Sequence, residues 1–162
     1  MSTEFRFCPR CGTALVAGLH GGKSRPACPN DGFVHWGNPT PVVAAIVEYE
    51  GKILLARGAN WPPKMFALVT GFLEAVETPQ AGVLREVKEE LDLDGDIVRL
   101  VGVHPFEMRN EVIITFHVKA TGTVKLSDEL AEYKLVDPDK LRAWPLGTGL
   151  AVQQWIDERA KT

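Results

Sequence analysis

The chain has 162 residues, of which 45% are hydrophobic and 24% are charged, with three cysteines and a formal net charge of −3. This length suffices for one well-buried domain and a small appendage, and no apolar run reaches the roughly 20 residues of a membrane-spanning helix. We therefore expect a cytoplasmic protein without membrane contact. The negative charge argues against a nucleic-acid partner held by bulk electrostatics, since that mode needs clustered Lys and Arg.

The first 36 residues contain every cysteine, within two similar pentapeptides. Cys8-Pro9-Arg10-Cys11-Gly12 has the Cys-x-x-Cys spacing that lets two thiolates reach one metal. Cys28-Pro29-Asn30-Asp31-Gly32 repeats this frame with Asp31 where a fourth cysteine would stand. The doubled frame predicts a small zinc-ribbon module over residues 1–36.

Carboxylates can ligate zinc, so Asp31 is the preferred fourth ligand, and His20 and His35 are its alternatives. Two other interpretations are a degenerate ribbon without metal and a redox Cys-x-x-Cys, although the strand-helix context of a redox fold is missing. Three cysteines cannot all pair within the chain, which favours the metal. The predicted structural zinc ligands are Cys8, Cys11, Cys28 and Asp31.

Residues 37–162 form the second predicted domain, which begins with the stiff connector Asn38-Pro39-Thr40-Pro41. Apolar and β-branched runs predict strands, and a Glu50-Gly51 turn joins the first two as a hairpin. Helical periodicity appears twice. The predicted strands are 42–49, 52–56, 66–69, 97–103, 112–119 and 132–136, and the predicted helices are 78–91 and 149–159.

The helix at 78–91 carries the clearest chemical signal. Thr78 can cap it and Pro79 suits its first turn. Glu86, Glu89 and Glu90 lie opposite its apolar face at about 100° per residue. A solvated acidic face is the common explanation of such a pattern. Like charges three and four residues apart destabilise a helix, however, so a bound cation is the alternative.

Two features upstream of these acids favour a metal site. Gly71 and Glu77 lie just upstream of the helix, where the glycine can bring its backbone carbonyl close to a ligand. Arg85, one residue before Glu86 and four before Glu89, can brace a carboxylate through a charge-assisted hydrogen bond. An oxygen-rich set of this kind suits Mg²⁺ or Mn²⁺ better than Zn²⁺.

The stretch Gly71–Leu93 resembles the Nudix box, G-x5-E-x7-R-E-U-x-E-E-x-G-U with U a bulky aliphatic residue, at eight of nine specified positions. The departure is Asp92 in place of glycine, which we expect to cost little stability because Asp tolerates the left-handed conformation. Val76 also stands where many members of the family carry glycine.

The resemblance implies a Nudix-type α/β/α sandwich around a mixed β-sheet, and metal-dependent hydrolysis of a nucleoside diphosphate linked to another moiety. It also implies that Arg85 and Glu77 orient the metal ligands. The general base varies in this family, and we prefer Glu90 and Glu132 as candidates. The full set of candidates is Glu89, Glu90, Glu107, Glu111 and Glu132. The implied Mg²⁺ or Mn²⁺ ligands are Glu86, Glu89, Glu90 and the Gly71 carbonyl.

Ribbon and box together resemble the zinc-ribbon branch of the Nudix family. Its NADH pyrophosphatases carry an S-Q-P-W-P-F-P-x-S motif after the box. Residues 102–109 of this chain retain only a proline followed by an aromatic residue. The chain is more similar to ADP-ribose and FAD pyrophosphatases, so the expected partner is a dinucleotide-like small molecule. Trp61, Phe106 and Arg109 are candidates for holding a base or a phosphate, with a core role as the alternative.

A regulator is the competing function class, because the first 36 residues hold four Lys or Arg against two acids. Such a protein would bind nucleic acid or sense a ligand through the same fold. The complete acidic set favours an enzyme instead. The sequence is compatible with a homodimer and does not select an oligomeric state.

Overall fold

The computed structural model describes residues 5–161. The chain divides into two units, residues 1–39 and residues 40–162. The boundary expected from the sequence lies three residues earlier, after residue 36. Among the described residues, no helix is long and apolar enough to cross a bilayer.

The N-terminal unit is built around a β-hairpin. Strands β1 (Val16–His20) and β2 (Lys23–Ala27) pair in antiparallel fashion. Gly21 and Gly22 join them with φ values of 58° and 75°, a conformation that glycine adopts without steric cost. The sequence analysis did not predict this hairpin, because neither strand alternates clearly between apolar and polar residues.

The C-terminal unit contains six strands and two α-helices. Its strands are β3 (Thr40–Tyr49), β4 (Lys52–Gly58), β5 (Val69–Phe72), β6 (Asp94–Phe106), β7 (Glu111–Thr121) and β8 (Leu130–Val136). Its helices are α1 (Pro79–Leu91) and α2 (Gly149–Arg159).

The six strands form one mixed sheet in the order β6-β7-β3-β4-β8, with β5 also paired to β3. Only β3 and β7 run parallel; the other pairs are antiparallel. The predicted β3-β4 hairpin is confirmed, and Glu50 and Gly51 both have positive φ at its turn. β4 pairs with the end of β3, while β5 pairs with its beginning, at Val42–Ala45.

One predicted strand is displaced. The pattern predicts 66–69, whereas β5 covers Val69–Phe72, because its partners on β3 set the register. Only Ala67 of the preceding segment makes a bridge, to Ala56.

The two helices cover opposite faces of the sheet. Val83, Val87 and Leu91 of α1 are buried in one apolar cluster, and Val152 and Trp155 of α2 are buried in the other. Both helices begin and end within a residue of their predicted limits. The α/β/α arrangement expected from the sequence is therefore confirmed.

Candidate active site

Helix α1 presents the predicted carboxylates to a cavity. The Thr78 hydroxyl caps the helix by accepting a hydrogen bond from the Ala81 amide at 3.2 Å, and Pro79 opens the first turn. Because one side of α1 is buried against the sheet, its acidic side faces a cavity of about 400 Å³. The acidic residues that line this cavity are Glu74, Glu86, Glu89, Glu90, Glu111 and Glu129.

Arg85 braces three carboxylates and a backbone carbonyl. Its Nε and Nη2 donate to the two Glu77 oxygens at 2.8 and 3.0 Å. Its Nη1 donates to Glu86 at 2.6 Å and to Glu89 at 2.9 Å, and Nη2 also reaches the Phe72 carbonyl at 3.1 Å. This hydrogen bonding lowers the Glu77 pKa to about 2. The bidentate pair therefore stays ionised and fixes the arginine in the orientation that holds its other partners.

Glu90 has no such counter-charge. Burial is the main reason that its pKa rises to about 8, followed by repulsion from Glu86, Glu129 and Glu89. No Lys, Arg or His of residues 5–161 forms an ion pair with its carboxylate. Clustered, partly buried carboxylates without a cation are unfavourable, and their hard oxygens fit a divalent cation such as Mg²⁺ or Mn²⁺.

Gly71 allows one of these carboxylates to enter the site. It lies on β5 opposite Val43, and a Cβ added to it would overlap the Glu86 carboxylate. Any other residue at this position would push Glu86 aside. The missing side chain thus leaves room for the Glu86 carboxylate beside β5.

The candidate general bases are distributed differently from the sequence expectation. Glu132 lies on β8, where its carboxylate accepts from Arg57 at 2.7 Å, and it does not line the carboxylate cavity. Glu129 lines it instead and repels Glu86 and Glu90. No motif in the loop before β8 points to Glu129.

A second, apolar cavity of about 440 Å³ adjoins the first. Both cavities are lined by Val42, Thr70, Arg109 and Glu111. The apolar cavity contains all three predicted substrate-binding residues, Trp61, Phe106 and Arg109, and two aromatic residues that the sequence analysis missed, Phe66 and Trp144. These four aromatic rings come from three separate segments, so no single local pattern connects them.

Both departures from the glycine pattern of the box lie in the left-handed region. Val76 has φ 64° and Asp92 has φ 55°. Asp92 ends α1 there, with its amide donating to the Lys88 carbonyl at 2.9 Å and its carboxylate 3.0 Å from the Lys88 Nζ. Asp tolerates this backbone, whereas a β-branched residue is strained in it.

The predicted zinc ligands of the N-terminal unit lie together. The four ligand atoms of Cys8, Cys11, Cys28 and Asp31 are all within 4.8 Å of one another. Cys8 Sγ lies 3.2 Å from an Asp31 oxygen, and the Cys11 and Cys28 sulfurs are 3.5 Å apart. Of the alternative ligands, His35 instead stacks on Phe5.

The two cysteine-containing turns share one backbone geometry. The Arg10 and Asn30 amides each donate to the preceding cysteine sulfur at 3.4 Å. Gly12 and Gly32 both have φ 72°. The Phe33 amide lowers the Asp31 pKa to about 2, which keeps an anionic oxygen beside the three sulfurs. This donor set fits a tetrahedral zinc ion.

Comparison with known proteins finds relatives along most of the chain. A model of the NUDIX domain matches residues 38–153. The NAD-capped RNA hydrolase NudC of Vibrio atlanticus is 31% identical over 151 residues, covering 91% of this chain and 55% of that protein. NudC of Mycobacterium bovis is 30% identical over 154 residues, covering 88% of this chain and 47% of that protein. The chain therefore spans about half the length of the curated relatives it matches.

Solved structures match the fold. The crystal structure of a NUDIX hydrolase from Nitrosomonas europaea has a TM-score of 0.80 at 25% identity, covering 97% of this chain and 93% of that one. An ADP-ribose pyrophosphatase from Streptococcus suis has a TM-score of 0.62 at 20% identity, covering 75% of this chain and 92% of that one. The second likeness concerns the fold alone.

Proposed function

Because the chain belongs to the Nudix family, we propose that it hydrolyses the diphosphate bond of a nucleoside diphosphate linked to a second moiety. The observation that carries this proposal is the cluster of Glu86, Glu89 and Glu90 around one cavity, braced by Arg85 and lacking a cation at Glu90. A solvated acidic face would need neither the arginine brace nor the burial of Glu90.

Within this proposal, Glu86, Glu89, Glu90 and the Gly71 carbonyl hold Mg²⁺ or Mn²⁺. The metal, when bound, neutralises the diphosphate and lowers the pKa of a bound water. Arg85 and Glu77 hold the ligand carboxylates in position. Glu90 remains the first candidate for the general base that takes a proton from the attacking water. Glu129 ranks above Glu132 as the alternative, since Glu129 lines the cavity.

The substrate class follows from the neighbouring apolar cavity. A diphosphate in the carboxylate cavity would extend through the shared boundary at Arg109 into a chamber with Trp61, Phe66, Phe106 and Trp144. Aromatic rings stack well on a base or another planar group. We therefore favour a dinucleotide-like substrate of the ADP-ribose, FAD or NADH type. The name of the curated relatives, NAD-capped RNA hydrolase, supports this class.

For the N-terminal unit, we propose a structural zinc ion on Cys8, Cys11, Cys28 and Asp31. A unit of this size has little hydrophobic core, so a metal would supply much of its folding free energy. Zinc near one equivalent in purified protein is the expected result. Less than a tenth of an equivalent would contradict the assignment.

The activity is tested with Mg²⁺ or Mn²⁺ and a panel of ADP-ribose, FAD, NADH, nucleoside triphosphates and NAD-capped RNA. Release of AMP or another nucleoside monophosphate from a dinucleotide is the expected result, and Glu86→Gln should abolish it. Trp144→Ala should raise KM more than it lowers kcat, because the ring contacts the substrate away from the reacting phosphates. Absence of turnover on every compound would favour a ligand-sensing protein instead.

A further inference from the structure

The N-terminal unit carries an electrical charge opposite to that of the remaining chain. Residues 1–39 include four of the 18 Lys and Arg and two of the 21 acids, which leaves 14 bases against 19 acids in residues 40–162. The net charge of −3 is thus the sum of two units of opposite sign. The net charge of the whole chain therefore does not argue against nucleic-acid binding by the N-terminal unit.

The cations of this unit are available at its surface. Within 5–39 the only carboxylate is that of Asp31, and it is engaged by Cys8 Sγ and the Phe33 amide. None of the basic side chains in that range forms an ion pair with a described carboxylate. These basic residues are Arg6, Arg10, Lys23 and Arg25.

Two of these arginines lie in a groove. A cavity of about 470 Å³ on the β1-β2 hairpin is lined by Arg6 and Arg25 together with the ring of Phe5, and no acid lines it. The Arg25 guanidinium lies over the Trp36 ring, 5.1 Å from its centroid, and also donates to the Trp36 carbonyl. The groove therefore combines fixed positive charge with aromatic surface.

Three aromatic residues of this unit are exposed although they are large. Phe5 is 42% exposed, Phe7 is 62% exposed and Trp36 is 49% exposed. Phe5 is held by stacking on His35, with ring centroids 4.3 Å apart. Rings that are fixed on one side and exposed on the other are suited to stacking with a further planar group.

Guanidinium groups interleaved with exposed rings match one chemical partner best. Arginines bind backbone phosphates, and aromatic rings stack on unpaired bases. A duplex would offer the phosphates but hide its bases, and an acidic peptide would offer charge without planar groups. We propose that the N-terminal unit binds single-stranded nucleic acid through Arg6, Arg25, Phe5 and Trp36. This binding is independent of the proposed hydrolysis.

The test measures fluorescence anisotropy of a labelled, uncapped 15-nucleotide RNA with the full-length, zinc-loaded protein. DNA of the same sequence and the corresponding duplex are measured in parallel. We expect micromolar affinity for the single strand, on the scale of sequence-independent binding, and weakening as salt rises from 50 to 200 mM. Binding of either single strand in preference to the duplex supports the proposal.

Substitutions test whether the named residues form the nucleic-acid-binding surface. Arg6→Ala/Arg25→Ala should weaken binding at least tenfold and lower the salt dependence, while Trp36→Ala should weaken it about tenfold through lost stacking. Arg142→Ala/Arg159→Ala, in the other unit, is the matched control and should bind as wild type does. Lys23→Glu changes an exposed side chain and tests the same surface if the double variant folds poorly.

Two outcomes would overturn the proposal: wild-type affinity in both Arg6→Ala/Arg25→Ala and Lys23→Glu, or equal affinity for single strand and duplex. Hydrolysis of ADP-ribose is measured on the same variants and should not change. A loss of RNA binding with intact hydrolysis thus separates this inference from the proposed enzymatic activity.

Discussion

Replacing Glu90 by glutamine should stabilise the magnesium-free protein while removing its activity. The side chain is partly buried, with Glu86, Glu89 and Glu129 near it and no described cation in contact. Glutamine keeps the size of the side chain and removes the charge. The fold then no longer has to hold an ionised carboxylate in that place.

The size of this effect follows from the pKa of Glu90, which is about 8 in the fold against an ordinary 4.5. A raised carboxyl pKa means that the fold is favoured while the group is protonated. That contribution is complete below pH 4.5 and is lost as pH rises towards 8. A tenfold change in proton affinity corresponds to about 1.4 kcal/mol. The raised pKa of Glu90 therefore lowers the stability of the fold at pH 7.5 by at most roughly 4 kcal/mol. Solvent screening of a partly exposed group lowers our expectation to about 2 kcal/mol.

The assay is urea unfolding of wild type and Glu90→Gln at pH 5.0 and 7.5. The protein is dialysed into magnesium-free buffer, since EDTA would also remove zinc from the N-terminal unit. We expect the free energy of unfolding of Glu90→Gln to exceed that of wild type by about 2 kcal/mol at pH 7.5. At pH 5.0 the difference should be below about 1 kcal/mol. Magnesium should stabilise wild type more than the variant. Turnover should fall about a hundredfold or more.

Glu107→Gln removes the same charge from an exposed position outside the carboxylate cavity and serves as the control. Its stability should stay within about 0.5 kcal/mol of wild type. A Glu90→Gln protein that is equally stable at both pH values, or less stable at pH 7.5, would refute the reasoning. The carboxylate would then be well solvated, and the cluster would not need a cation.

Three further predictions concern the glycine positions and the zinc ligands. Val76→Gly should stabilise the protein by about 1 kcal/mol in thermal unfolding, because it relieves a left-handed β-branched residue, whereas Asp92→Gly should change stability by less than about 0.5 kcal/mol; equal effects would contradict the backbone argument. Gly71→Ala should cut kcat at least tenfold with a small change in Tm, because the new methyl group displaces Glu86; wild-type kinetics would count against that packing. Asp31→Cys should slow zinc loss to a chelator, since thiolates suit zinc better than carboxylates, and faster loss would disprove its role as a ligand.

Much of helix α1 could be predicted from its own residues. Thr78 and Pro79 mark the start of α1, and the helical repeat places Glu86 and Glu90 on the side away from the core. Cap, repeat and box all lie within one segment of about 20 residues. Local rules therefore sufficed for this element, and for the β3-β4 hairpin, whose turn lies at Glu50 and Gly51 as predicted.

The apolar cavity could not be predicted in the same way. Trp61, Phe66, Phe106 and Trp144 lie on three segments up to 83 positions apart, and each by itself resembles an ordinary core residue. Sheet pairing and the position of α2 bring these segments together. The choice between Glu129 and Glu132 also depended on the fold, because Arg57 on the neighbouring strand binds Glu132.

The sequence by itself determined the family, the carboxylate helix and the spacing of the cysteine ligands, because each depends on residues within a few turns or loops of chain. Only the tertiary structure decided which acids share a cavity, that Glu90 has no counter-charge among the described residues, and that two arginines and the Phe5 ring line one groove in the N-terminal unit. Burial and electrostatic repulsion act between atoms that are close in space. Their strength is therefore set by the packing of distant segments and cannot be obtained from spacing along the chain.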